Sequence, residues 1–194
     1  RADISRQVGY SLGLRANLAA SSAMSTEKLR DKNWIDANGF SASIMDFIHY
    51  NYVAQPGDNI STNGLIPKIG EYDKWAIKYG YTYTGNTDFN KEKSEVLGWI
   101  TKAQTNNPTL RFGSESSLNP NDPVDPSVQT EDLGNNAIKS AEYGLNNLKI
   151  VTANLLKWTR EDMDMYDNAA MMYDNVMDWW GMLTRHVYSQ VGGI

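Results

Sequence analysis

Residues 130–191 carry the longest helical pattern in the chain. Leu133, Ala137, Ala141, Leu145, Leu148, Val151, Leu155 and Trp158 step by three or four. Thr130, Glu131 and Asp132 put acceptors and negative charge at the expected helix start. Tyr166, Ala170, Tyr173, Met177, Trp180, Thr184, Val187 and Val191 then alternate steps of four and three. A short connection at 159–162 makes the pair an antiparallel hairpin, with Gly192-Gly193 ending its second arm. The Met and Trp stripe (Met171, Met172, Met177, Trp179, Trp180, Met182) reads as core packing, because methionine fills irregular gaps.

Composition narrows the function classes. A chain of 194 residues with 41% hydrophobic and 21% charged residues can bury a sizeable core. A net charge of −5 argues against a general nucleic-acid surface, which needs clustered Lys and Arg. There is no cysteine, so disulfides and thiolate metal sites are ruled out. No apolar run approaches the ~20 residues that span a bilayer, and no signal peptide is visible.

The remaining chain reads as shorter helices and long loops. Ile4, Val8 and Leu12 predict a short helix ending near Gly13. Ser41 to Asp46 reads as a tight turn. Residues 47–53 are a short helix or an extended segment, and periodicity does not separate the two. Pro56-Gly57-Asp58-Asn59 is turn chemistry. Tyr72, Trp75, Ala76 and Tyr79 predict a helix over 70–79, and Asn90 is the expected cap of another carrying Val96, Leu97, Ile100 and Ala103. Residues 106–130, with Pro108, Pro120, Pro123 and Pro126, read as a long loop. One domain, or a fragment of one, is expected. Its parts are 1–60, a middle section 61–130 of helices and loop, and the hairpin 131–194.

Residues 6–17 have the frame of a zinc-protease helix, H-E-x-x-H-x-x-G-x-x-H, with most of its chemistry replaced. In that pattern two histidines one turn apart present ligands on one face, and the glutamate between them activates a metal-bound water. A glycine then turns the chain toward the third histidine. Arg6, Tyr10 and Ala16 stand at the ligand positions, Gln7 at the base position and Gly13 at the glycine. Downstream, Ser43-Ile44-Met45-Asp46 lies where a methionine turn would floor such a site, Met45 being 35 residues after Tyr10.

Further segments follow in order. Gly9-Tyr10-Ser11-Leu12-Gly13-Leu14-Arg15-Ala16-Asn17 resembles a "GHTLGLRHN" motif, and Ser43-Ile44-Met45-Asp46-Phe47 resembles "SVMDY". Tyr52 to Asp58 is similar to "YVAQPGD". Ile69 to Asp73 and Ala76 to Tyr81 are similar to "IGPYD" and "AIKWGY". Arg111-Phe112-Gly113, Gln129 to Gly134 and Asn147-Leu148 continue the order. The set resembles the metzincin-like domain of large bacterial zinc-dependent proteases, long catalogued as a domain of unknown function. The resemblance implies a mainly α chain: the C-terminal helical part of a zincin catalytic domain, with active-site helix, Met-turn and helical hairpin. A sheet-containing half would precede it in a longer precursor. It also implies zinc for the family and an extracytoplasmic location.

Carried over by position, the ligands become Arg6, Tyr10 and Ala16, and the base becomes Gln7. A guanidinium has no lone pair to donate, Ala16 has no donor, Tyr10 binds metal only as phenolate, and Gln7 cannot take a proton from water. Phe47 stands where some metzincin branches place a tyrosine. Gly13 and Met45, which serve the backbone and the floor, remain. No zinc is therefore expected for this chain. The two histidines, His49 and His186, cannot make a three-His site, and a mixed site with Asp46, Asp58 or Glu71 is disfavoured. The Asp and Asn residues of 119–125 lack the spacing of a calcium loop.

Three readings compete. The preferred one is a pseudoprotease that binds a peptide or protein, with Phe47 and Tyr50 in the cleft. The alternatives are an active metallopeptidase with a noncanonical or trans-completed site, and a structural domain of a larger envelope protein. Neither nucleic acid nor a membrane span is expected. A site plugged by Arg6 and Tyr10 would remove the footing of the binding idea.

Overall fold

The computed structural model describes residues 1–114, 125–163 and 165–191. The expectations on Pro120, Pro123, the Asp and Asn residues of 119–124 and Gly192-Gly193 lie outside them. Every regular element among the described residues is helical, in agreement with a mainly α chain. No described helix is long and apolar enough to cross a membrane.

Helix α1 spans Ala2–Ser11. It ends where Gly13, at φ +85°, lets the chain reverse. The amide of Leu14 donates to the Gly9 carbonyl and that of Gly13 to the Tyr10 carbonyl, both at 3.0 Å. These are the paired bonds of a Schellman stop, and a left-handed residue is needed to make them. Helix α2 spans Lys32–Asn38, capped by the Asp31 side chain on the amides of Asn33 and Trp34. Helix α3 is the single turn Thr62–Leu65.

Helix α4, Glu71–Tyr81, fulfils the expected 70–79 helix. Its start is pressed against the backbone at Ala42: a Cβ on Gly70 would sit 1.9 Å from the Ala42 carbonyl oxygen. Helix α5 spans Phe89–Asn106, and its cap is Asp88 rather than Asn90. Asp88 accepts from the amides of Asn90 and Lys91, so Asn90 belongs to the first turn. Residues 47–53 form neither helix nor strand.

The hairpin is present, with two corrections. Helix α6 spans Ala137–Thr159 and helix α7 spans Asp167–Tyr188. The first starts later than expected, capped by Asn136 on the amide of Lys139. Glu131 to Leu133 instead form a buried approach, where Glu131 takes φ +65° and Leu133 enters the core. The connection runs from 160 to 166, longer than 159–162. Gly144 sets the crossing: a Cβ there would lie 2.7 Å from Leu183 Cδ1. The core joins Leu29, Ile35, Phe40, Ile48, Val53, Tyr72, Leu133, Ala141 and Leu183. Expected core packing of the Met and Trp stripe holds for Trp179, which packs against the core, while Met182 is only partly buried. Met171, Met172, Met177 and Trp180 are exposed, Met177 and Trp180 lining an open groove between α7 and Leu145 and Leu148 of α6.

Candidate functional site

Helix α1 rests on the Met45 turn through two residues, Arg6 and Gly9, the only buried positions of that helix. Met45 is fully buried. A Cβ on Gly9 would lie 2.4 Å from its sulfur, so the bare glycine lets the thioether reach the helix backbone. Met45 therefore floors α1, as a Met-turn would.

Several buried polar groups hold the turn in shape. Asp73 of α4 accepts from the Ser43 hydroxyl at 2.5 Å and from the amides of Ile44 and Gly70 at 2.8 Å. The Ser43 hydroxyl in turn accepts from the Met45 amide at 3.0 Å. The Met45 carbonyl accepts from the amide of Asn17. Asn17, fully buried, also donates to the Arg111 carbonyl and accepts from the Gly113 amide. The turn, the segment after α1 and residues 111–113 thus form one hydrogen-bonded unit.

Arg6 lies between α1 and this unit. Its side chain is buried, its Nε donates to the Ile44 carbonyl at 3.0 Å, and its Nη2 donates to the Ile48 carbonyl at 2.5 Å. Nη1 donates to the exposed Asp3 at 2.9 Å. The guanidinium also lies 6.0 Å from the Phe47 ring centre, within cation–π range. The other frame positions do not converge on it. Gln7 and Tyr10 face solvent and Ala16 is half-buried. Phe47 and Tyr50 are exposed at the edge, Tyr50 leaning on Trp179 with ring centres 4.8 Å apart. Burial, then the charge of Glu131, pushes the Tyr50 phenol up to about 12.

A second polar cluster lies just beyond Met45. Asp46 accepts from the Ser21 amide at 2.8 Å and from the Ser41 hydroxyl at 3.4 Å, through Oδ2. Its Oδ1 is buried with no hydrogen-bond partner. The Ser21 hydroxyl donates to Asp132 Oδ1 at 2.9 Å. Ser21 thus bridges two fully buried carboxyl groups. Burial raises the Asp46 carboxyl to about 7, against the lowering effect of its serine bonds. Burial first, then the neighbouring Asp46, raises Asp132 well above the usual carboxylate range. Burial thus makes both carboxyls harder to ionise than exposed ones.

Both histidines are engaged. His49 is exposed, and its Nδ1 pairs with Glu131 Oε1 while its amide donates to Oε2. His186 is buried on α7, its Nε2 donating to the Thr130 carbonyl at 3.0 Å. Burial lowers its pKa to about 4. The carboxylates considered for a mixed site are also committed elsewhere. Asp58 forms a two-bond pair with Arg30, Glu71 accepts from Asn107 and Thr109, and Asp46 faces the serines. Among the described residues no group of three or more His, Asp or Glu is placed to hold a metal.

The chemistry of Arg6, Gln7, Tyr10 and Ala16 does not fit a zinc ion. The buried member offers only donors, already spent on carbonyls and Asp3. Sequence alone assigns no role to Asp73 or Asn17, weighs Asp46 only as a metal ligand, and reads Asp132 only as part of a helix start. Both Asp73 and Asp132 lie in segments that carry the family resemblance, Ile69 to Asp73 and Gln129 to Gly134. A family model described as Met-zincin matches the chain over residues 1–194. No curated protein and no solved structure matches it.

Proposed function

The chain belongs to the Met-zincin family, and from that premise we propose a metalloprotease-like domain that has given up hydrolysis and kept its metal helix as a structural latch. The supporting observation is the Arg6 side chain, buried and bonded to the carbonyls of Ile44 and Ile48 on either side of Met45. In this reading a fixed positive charge on α1 takes over the work of joining helix to floor. Hydrogen bonds from a charged donor contribute about 1.5–3 kcal/mol each when buried.

A peptide cleft at the metal position loses support, because Arg6 fills the space between α1 and the turn. The reading therefore favours a structural or partner-holding domain of a larger extracytoplasmic protein. The test is metal analysis of the purified chain together with a peptide-cleavage assay. Substoichiometric zinc and no chelator-sensitive cleavage are expected. Stoichiometric zinc with chelator-sensitive cleavage overturns the reading. Combining R6H, Q7E, Y10H and A16H should restore zinc binding if the frame is placed as argued.

A further inference from the structure

Helices α4 and α5 flank a half-open pocket of about 390 Å³, lined by residues that include Trp75, Lys78, Tyr79, Trp99, Lys102 and Asn106. That volume lies within the range of small-ligand sites. Its aromatic wall is fixed in place. Trp75 and Tyr79, one turn apart on α4, stack with ring centres 5.4 Å apart and planes 22° apart. Trp75 leans in turn on Tyr72, 6.0 Å away, whose ring is buried. Trp99 supplies a further ring from α5, and it is only half-buried.

The polar lining is one-sided. Lys78 and Lys102, both exposed, are the charged residues of the lining, and no Asp or Glu lines the pocket. Neither lysine belongs to any ion pair among the described residues. The Thr82 hydroxyl is spent on the Lys78 carbonyl at 2.6 Å. In a chain of net charge −5, two unneutralised cations beside three aromatic rings are a local departure from the overall charge. A cationic ligand would meet repulsion there. An uncharged sugar would find few acceptors for its hydroxyls.

We propose that this pocket binds a carboxylate carried on a flat apolar body, the ring stacking against Trp75, Tyr79 and Trp99 and the carboxylate pairing with Lys78 and Lys102. The C-terminal residue of a peptide and a free aromatic acid share that chemistry. The site is separate from the Met45 region, so its test and that of the latch fail independently.

The experiment is indole ¹⁵N–¹H NMR on the full chain, with W75F and W99F identifying the two signals. The probes are N-acetyl-L-phenylalanine, its amide, the tetrapeptide Ala-Ala-Ala-Phe with a free C-terminus, and digalacturonate. Saturable shifts of the Trp75 and Trp99 signals are expected with the acid, weakening as salt is added. Binding of the amide should be about fivefold to tenfold weaker. Tetrapeptide binding at least as tight as the acid assigns the pocket to peptide ends, and acid binding alone assigns it to a small molecule. The exposed double variant K78Q/K102Q, with its melting temperature unchanged, should bring the acid down to the level of the amide. Equal binding of acid and amide, shifts with digalacturonate alone, no saturable shift at millimolar probe, or an unaffected double variant each overturns the proposal.

Discussion

The Met45 region and the outer part of the hairpin are held by different means. Around Met45, buried side chains bond to backbone that belongs to no regular element. Arg6, Asn17, Ser43 and Asp73 each join segments far apart in sequence. In the hairpin the backbone satisfies itself, and α6 and α7 meet through apolar contact, Leu183 packing against the bare backbone of Gly144. Its flanks leave Tyr173, Met177 and Trp180 about half exposed. Irregular backbone needs particular polar partners to be buried at all, whereas a helix needs only one apolar stripe. Substitutions should therefore be costly and specific in the first region, and cheap on the flanks of the second.

Arg6→Met is the largest expected break. It keeps the apolar stem but strips the Ile44 and Ile48 carbonyls of their donors in a dry site. Urea unfolding should show a loss of about 3 kcal/mol. A loss under about 1 kcal/mol would mean that water or a neighbour replaces the guanidinium, and that the latch is not what holds α1 to the turn.

Next comes the pH dependence of the buried acid pair. The folded pKa of Asp46 is about 7, above its unfolded value. Its contribution is therefore fully present at low pH. It declines as the unfolded chain ionises first, and is gone above about 7. His186, held near 4, acts in the opposite sense: its penalty grows as pH falls below the unfolded histidine value. Asp46→Asn copies the protonated carboxyl, so it should remove only the first effect. The variant should gain on the parent by on the order of 2 kcal/mol between pH 5 and pH 8 in paired denaturation curves. Parallel curves would show that the pair does not store protons.

The smallest effect is expected on the hairpin flank. Met171→Ser removes a side chain that is 60% exposed and lies outside the groove between α6 and α7. The melting temperature should move by no more than about 0.5 kcal/mol would produce. A drop several times larger would place that face in a contact of its own and erase the contrast between the two regions.

Much of the architecture was legible in the residues. The stop at Gly13, the turn at Met45, the helix over 70–79 and the hairpin all came from local rules: a glycine at positive φ, turn residues, and apolar spacing. The misreadings share a cause. Asp88 rather than Asn90 caps α5, and Asn136 rather than Thr130 to Asp132 opens α6. Several Asp, Asn and Thr near a boundary satisfy the same capping rule, and only packing chooses among them. Leu133 fitted the helical period, yet it reaches the core from an irregular segment because Glu131 and Asp132 are drawn to His49 and Ser21.

The sequence by itself determined a helical chain of the Met-zincin family, and the identities of Arg6, Gln7, Tyr10 and Ala16, none of them a histidine or a carboxylate. Those are properties of residue type and spacing, which hold whatever the neighbours are. Tertiary structure alone decided that Arg6 turns inward and spans two carbonyls while Tyr10 turns out. It alone set Asp46 and Asp132 on either side of Ser21, and three rings and two lysines around one pocket. Each of these joins residues distant in the chain, and their burial and charge exist only once the core has closed around them.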